Sequence, residues 1–233
     1  MRLRSLPSPV DLGRFWFMLA LAAVGVGNMG FHVIVSRLMG PAEYGAFGSL
    51  LALMVLVTVP AGGVQTLITA RTARIVESGR LVDGTAAFGR FRRAGAICAI
   101  AMLAAAPLLQ GFLRLDSIWP ICWLALYCLF PVAIVVPWGW LCGQGKFAVV
   151  GTIAIAGTVI RISVGILLIQ AGFGVSGAIM ASVAADSCQL VALYLASNRV
   201  RARDRARAVS LGIDPRAAIG GVLAVTGLWL LVG

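Results

Sequence analysis

Residues 147–170 read FAVVGTIAIAGTVIRISVGILLIQ and, after the five-residue turn AGFGV, residues 176–197 read SGAIMASVAADSCQLVALYLAS. A helix crosses a hydrocarbon core roughly 30 Å thick with about 20 mainly apolar residues, because each residue rises about 1.5 Å. Both stretches meet that length, and each contains a single charged residue within the apolar run, Arg161 in the first and Asp186 in the second. Two such segments joined by a short glycine-rich turn read as a hairpin of transmembrane helices.

The same pattern recurs outward from this hairpin, at 15–36, 44–70, 94–113 and 118–142, with a shorter stretch at 217–232. The 233 residues are 61% hydrophobic, with a mean hydropathy of +0.99. Soluble domains hold roughly 45 to 50% apolar residues, so a water-soluble fold is excluded. The expected fold is all-α, a polytopic transmembrane helix bundle of six full spans plus a short seventh hydrophobic segment. Its parts are a basic tail (1–14), a six-helix lobe (15–197), an Arg-rich loop (198–216) and a partial or tilted seventh segment (217–233). Arg2, Arg4 and Arg14 ahead of the first span resemble the start of a signal peptide. That span is longer than a signal-peptide core of roughly 7 to 15 residues and runs on without an A-x-A-like site, so it reads as a retained helix.

Orientation follows from the basic residues, since cytoplasmic loops retain Lys and Arg. With alternate loops assigned to opposite sides, one side receives the N-terminal tail, Arg71, Arg74, Arg80, Arg90, Arg92, Arg93, Lys146, Arg199, Arg201, Arg203, Arg205, Arg207 and Arg216. The other receives Arg37 and Arg114. One misplaced span would invert every later loop, so the asymmetry supports the helix count, a cytoplasmic N-terminus and a multi-pass protein of the cytoplasmic membrane. The net charge of +11 is therefore not a nucleic-acid footprint, because the arginines form no stripe interleaved with aromatics. Membrane lipids are the expected partners. Residues 199–209, RVRARDRARAV, read either as a topology signal or as a helix on the inner leaflet, where each basic residue near an anionic surface is worth about 1 kcal/mol.

Arg161 and Asp186 each cost about 2.5 to 3.5 kcal/mol at the centre of a membrane helix, so something must offset them. They lie twelve and thirteen positions from the turn centre at Phe173, hence at nearly one depth, roughly 18 Å along the helix from the outer turn. The expectation is an ion pair across the hairpin. Gly157 and Gly165 flank Arg161 on one helix face and let another helix approach. Ser182 and Gln189 extend a polar stripe through Asp186. The pair reads either as a lock on the hairpin or as a charged lining for an anionic substrate. Asn28 and His32 share a face of the first span at i, i+4. They are cavity candidates, His32 being either a helix-contact donor or a proton-coupling group. Pro60 with Gly62 and Gly63 is expected to interrupt the second helix, and Pro120, Pro131 and Pro137 to punctuate the fourth, through lost backbone hydrogen bonds.

The five cysteines, Cys98, Cys122, Cys128, Cys142 and Cys188, fall in apolar stretches without a CxxC and with one His in the chain. They read as packing residues, and no metal or other cofactor is expected. No nucleophile-base pair, HExxH helix, phosphate loop or paired acids occur, so no catalytic residue is assigned and the chain is read as a non-enzyme.

Residues 36–57, SRLMGPAEYGAFGSLLALMVLV, carry Arg37, Leu38, Gly40, Pro41, Glu43, Tyr44 and Gly45, with Met39 between Leu38 and Gly40. This segment resembles the start of the polysaccharide flippases, lipid-linked oligosaccharide exporters of the multidrug/oligosaccharidyl-lipid/polysaccharide transporter superfamily. A Gly-x-Gly-Lys-Phe entry (Gly143, Gly145, Lys146, Phe147), the mid-helix Arg161 and a Gly-Val-x-Gly-Ala exit (Gly174, Val175, Gly177, Ala178) are similar to the same family. The resemblance covers almost the whole chain, and it rests on the order of the motifs.

It implies movement of a lipid-linked oligosaccharide or polysaccharide precursor across the inner membrane, with basic residues of a central cavity, Arg161 among them, receiving lipid pyrophosphate or acidic sugars. Members of that family have two lobes, and this chain corresponds to the first. A homodimer, a separate second-lobe chain, or a truncated product are the alternatives that follow. Two other readings stand beside it: a non-transporting scaffold that recruits glycan-assembly enzymes through its arginine loops, and a relative of the multidrug exporters.

Overall fold

The structure, a computed structural model, describes residues 9–78, 81–83, 85–113, 117–203 and 208–210. The basic tail before Pro9, much of the Arg-rich loop and the seventh segment at 217–233 lie outside the described residues. The described residues form eight α-helices in order: α1 (Pro9–Leu38), α2 (Pro41–Glu77), α3 (Thr85–Ala104), α4 (Ala106–Phe112), α5 (Trp119–Tyr127), α6 (Leu129–Gly143), α7 (Phe147–Leu168) and α8 (Gly174–Arg203). Two three-residue strands, Leu81–Asp83 and Ala208–Ser210, pair in parallel; the architecture is otherwise helical.

Among the described residues, four helical stretches are long and apolar enough to cross a membrane: Leu12–Leu38, Pro41–Glu77, Trp119–Gly143 and Phe147–Val200. The last contains α7, a single wider turn at Ile169–Phe173, and α8. The chain reverses there because Gly172 adopts φ 89° and Gly174 φ 46°, conformations that L side chains rarely take. The expected third span is α3 plus α4, meeting at Ala105. Here α3 begins at Thr85, so Arg90, Arg92 and Arg93 belong to the helix rather than to the preceding loop.

Proline acts differently in the two helices that carry it. The expected interruption of the second helix is not found: α2 runs unbroken through Pro60 for 37 residues. An interior proline removes one backbone bond, and core packing of Leu50 and Met54 before it and of Ala61, Val64 and Ile68 after it holds the helix on either side. In the fourth span the hydrogen-bond ladder is interrupted for one residue at Cys128, between α5 and α6; Cys128 keeps helical dihedrals (φ −56°, ψ −21°), so Trp119–Gly143 still runs as one span. Pro131 lies three residues on; it cannot donate to the Tyr127 carbonyl, and its ring crowds that carbonyl. Pro120 starts α5, where no helical N–H is required, and Pro137 lies within α6 without ending it.

Close contacts fix how the helices run. The Gly27 backbone meets Thr158, Gly151 meets Ala20, and Gly165 meets Phe31, so positions rise together and α1 is parallel to α7. Gly139 meets Ile68 and Gly143 meets Thr72, so α2 and α6 are parallel too. Gly157 meets Gln189 while Gly165 meets Ala181, so α7 and α8 are antiparallel. Two apolar clusters fill the bundle. One, around Phe31, Phe47, Leu50, Ile121 and Ile179, lies towards the α1–α2 and α7–α8 turns. The other, around Ile68, Val136, Trp140, Val150 and Leu193, lies towards the α6–α7 turn.

Candidate functional site

Between these clusters the helices carry polar groups. Arg161, in the middle of α7, donates from Nη1 to Oδ1 of Asn28 on α1 at 3.2 Å. Its guanidinium carbon stands 4.7 Å from the centre of the Phe31 ring, a distance at which the ring quadrupole attracts a cation. The Nε of Arg161 is buried and has no hydrogen-bond partner among the described residues. The charge is thus held by one amide and one aromatic face, with a donor left over.

The parallel course of α1 and α7 explains why these groups meet. Gly165 leaves no room for a side chain, a Cβ there falling 2.6 Å from the Phe31 ring, so the ring lies across α7 one turn beyond Arg161. The i, i+4 spacing then places His32 beside it. The His32 ring lies 6.0 Å from those of both Phe31 and Phe47 and within electrostatic reach of Arg161. On the other side of α7, the Gln189 side chain packs onto the Gly157 backbone, one turn before Arg161.

Asp186 lies within electrostatic reach of Arg161, but the expected ion pair is not formed: no N–O contact of 4.0 Å or less joins them among the described residues. The register of the hairpin gives the reason. With Gly165 against Ala181 and Gly157 against Gln189, the residue facing Arg161 is Ala185, which is buried. Asp186 comes next, turned about 100° around the helix axis at 3.6 residues per turn. Ser182, expected in the same stripe, is occupied by a bond from its hydroxyl to the Ala178 carbonyl.

Of the five expected residues, Asn28 is hydrogen-bonded to Arg161, His32 and Asp186 lie within its electrostatic reach, and Gln189 packs one turn away on Gly157. Two aromatic members escaped the sequence reading. Phe31 and Tyr127 are both buried, and Tyr127, at the end of α5, lies within electrostatic reach of Asp186 and Arg161. The available signal for Tyr127 was a phenol in the middle of an apolar span, followed four residues later by proline.

The motif residues lie away from this layer, in turns. Gly40 is extended (φ −68°, ψ 163°) and Pro41 begins α2. Glu43 follows in the first turn, with a carboxylate oxygen 3.4 Å from where a Cβ on Gly174 would stand. It is placed at the start of α8, where the helix dipole favours negative charge. Tyr44 packs on Phe47, and Arg37 and Gly45 are exposed. At the opposite end Gly143 packs on Thr72, Gly145 takes φ 74°, and Lys146 precedes α7.

The sequence pattern described as polysaccharide biosynthesis protein matches residues 34–211. No curated protein matches the chain. Three solved structures share the fold. One, described as a MOP superfamily transporter from Pyrococcus furiosus with a binding pocket of reversed polarity, is 18% identical with a TM-score of 0.69, over 90% of this chain and 48% of that one. An outward-facing multidrug resistance MATE transporter of the same superfamily is 19% identical (TM-score 0.70, 90% and 49% covered). A MATE protein in complex with Br-NRF is 24% identical (TM-score 0.70, 92% and 51% covered). The chain spans about half the length of these structures and has the fold of one of their halves, a multi-pass membrane bundle. With the match extending over most of its length, the chain belongs to the polysaccharide biosynthesis protein family.

Proposed function

We propose that this chain forms the N-terminal lobe of a transporter that moves lipid-linked oligosaccharide or polysaccharide precursors across the cytoplasmic membrane. In this reading the bundle comprises six spans, with a seventh segment after them and the N-terminus inside the cell. The parallel pairs α1 with α7 and α2 with α6, and the antiparallel pair α7 with α8, support that alternation of direction. A second lobe, from another copy or another stretch of polypeptide, completes the cavity.

The observation that carries the proposal is Arg161, half-buried in the middle of α7 with its Nε fully buried. Its cost in a membrane is offset in part by Asn28 and Phe31, and its Nε has no hydrogen-bond partner among the described residues. An anionic group, such as the pyrophosphate or an acidic sugar of the substrate, supplies the acceptor that the described residues do not. Asp186 favours a second reading, export of cationic drugs, since a carboxylate in the same layer attracts a cation.

One experiment separates them. In the complete two-lobe assembly reconstituted in vesicles, Arg161→Gln is expected to cut translocation of a labelled lipid-linked oligosaccharide at least tenfold at equal protein level, while Asp186→Asn spares it. Undiminished glycan translocation by Arg161→Gln overturns the proposal. Uptake of a cationic dye that depends on Asp186 and not on Arg161 establishes the second reading instead.

A further inference from the structure

At the end of the bundle remote from the α1–α2 turn, two cations and a set of aromatic rings meet on the outside of the α1–α7 pair. The register that joins Ala20 to Gly151 and Gly27 to Thr158, continued down α1, brings Arg14 level with Lys146. The Arg14 guanidinium stands 5.8 Å from the centre of the Phe147 ring, so it is aimed at α7. Phe147 in turn packs on Phe17 at 5.7 Å. The Trp16 indole N–H donates to Thr152 Oγ1 at 3.3 Å. Arg14, Trp16, Lys146 and Thr152 are all exposed. No side chain caps the N-terminus of α7, and no acid lies in its first turn, so the local helix dipole adds to the positive field.

We propose that this α1–α7 corner is a binding site for the phosphate of an anionic membrane phospholipid. The retention of arginines at one membrane face explains why cations are present at this end. It does not explain why one of them lies on an aromatic ring at the same depth as the other, beside an indole already tied to the neighbouring helix. Such an arrangement suits a lipid headgroup: the guanidinium and the ammonium take the phosphate, while the Trp16 and Phe147 rings pack at the level of the glycerol and upper acyl chains. Bound there, the lipid joins the inner ends of α1 and α7. This goes beyond the proposed transport and does not depend on it.

The test is the thermal unfolding midpoint of the purified chain in neutral detergent, with added phosphatidylglycerol, phosphatidylcholine or inorganic phosphate. The expected result is an upward shift with phosphatidylglycerol alone, reduced by at least half in Arg14→Gln/Lys146→Gln and retained in Arg199→Gln, a cation at the same end but on α8. Lys146→Gln alone gives a smaller reduction in the same direction, so the reading survives if the double variant cannot be purified. The proposal is overturned if phosphatidylglycerol gives no shift beyond phosphatidylcholine. It also falls if Arg199→Gln loses as much as the pair, which marks a diffuse charge effect, or if inorganic phosphate alone reproduces the shift.

Discussion

At the scale of single residues, the side chain that matters most is Arg161, and its most direct partner is Asn28. A hydrogen bond between membrane helices is worth about 1 kcal/mol, because the unfolded chain in the membrane also finds partners. Asn28→Ala is accordingly expected to lower stability by about 1 kcal/mol in reversible unfolding from mixed detergent micelles. No measurable change there refutes the contact. The ionisable members of this layer were legible because a charge or an imidazole in an apolar run stands out against its neighbours. Phe31 and Tyr127 were not, since an aromatic at helical spacing in a membrane span has the same pattern whether it faces lipid, a packed core or a cation. Equal depth was legible for Arg161 and Asp186 too, but azimuth was not. Counting from the turn fixes height along the helix, and only the packed hairpin shows that Ala185 faces Arg161.

At the scale of elements, the α7–α8 hairpin depends on positions that exclude a side chain. A methyl on Gly157 would occupy space taken by the Gln189 side chain, and overpacking of this kind costs about 1 to 3 kcal/mol. Gly157→Ala is therefore expected to destabilise the bundle by that amount. In the Gln189→Ala background the loss should fall by half or more, because the clashing atoms are gone. A double-mutant cycle checks this directly, and additive losses would place Gln189 elsewhere. The sequence made the hairpin readable, with its turn at the correct glycines, but it misjudged Pro60. Pro60 and Pro131 have the same local chemistry. The difference lies in context: α2 continues through Pro60, while α5 ends at Tyr127 and α6 begins at Leu129. Neither outcome is encoded within one turn of the proline itself.

At the scale of the whole molecule, the polar layer lies between two apolar clusters, so the costly charge has packed core above and below it. Composition pointed to lipid as the solvent, and the alternation expected from loop charge agrees with the parallel α1–α7 and α2–α6 pairs and the antiparallel α7–α8 pair. Neighbours distant in the chain, such as α1 with α7, were beyond reach, because membrane helices associate through small residues and a few polar contacts rather than through a pattern distinctive of each pair. The ends of the bundle can nevertheless be tied to that loop charge. Glu43 and Gly174 mark one end by their contact, and Arg37 lies nearby in the last turn of α1. Arg14, Arg71, Arg74, Lys146 and Arg199, all exposed, accompany the opposite helix ends. With the native cysteines replaced by alanine, Glu43→Cys is expected to react with a membrane-impermeant maleimide in intact cells. Lys146→Cys should react only after the membrane is opened. Labelling of both from the same face would break the alternation of spans, and with it the placement of Arg161 at mid-membrane on which the transport proposal depends.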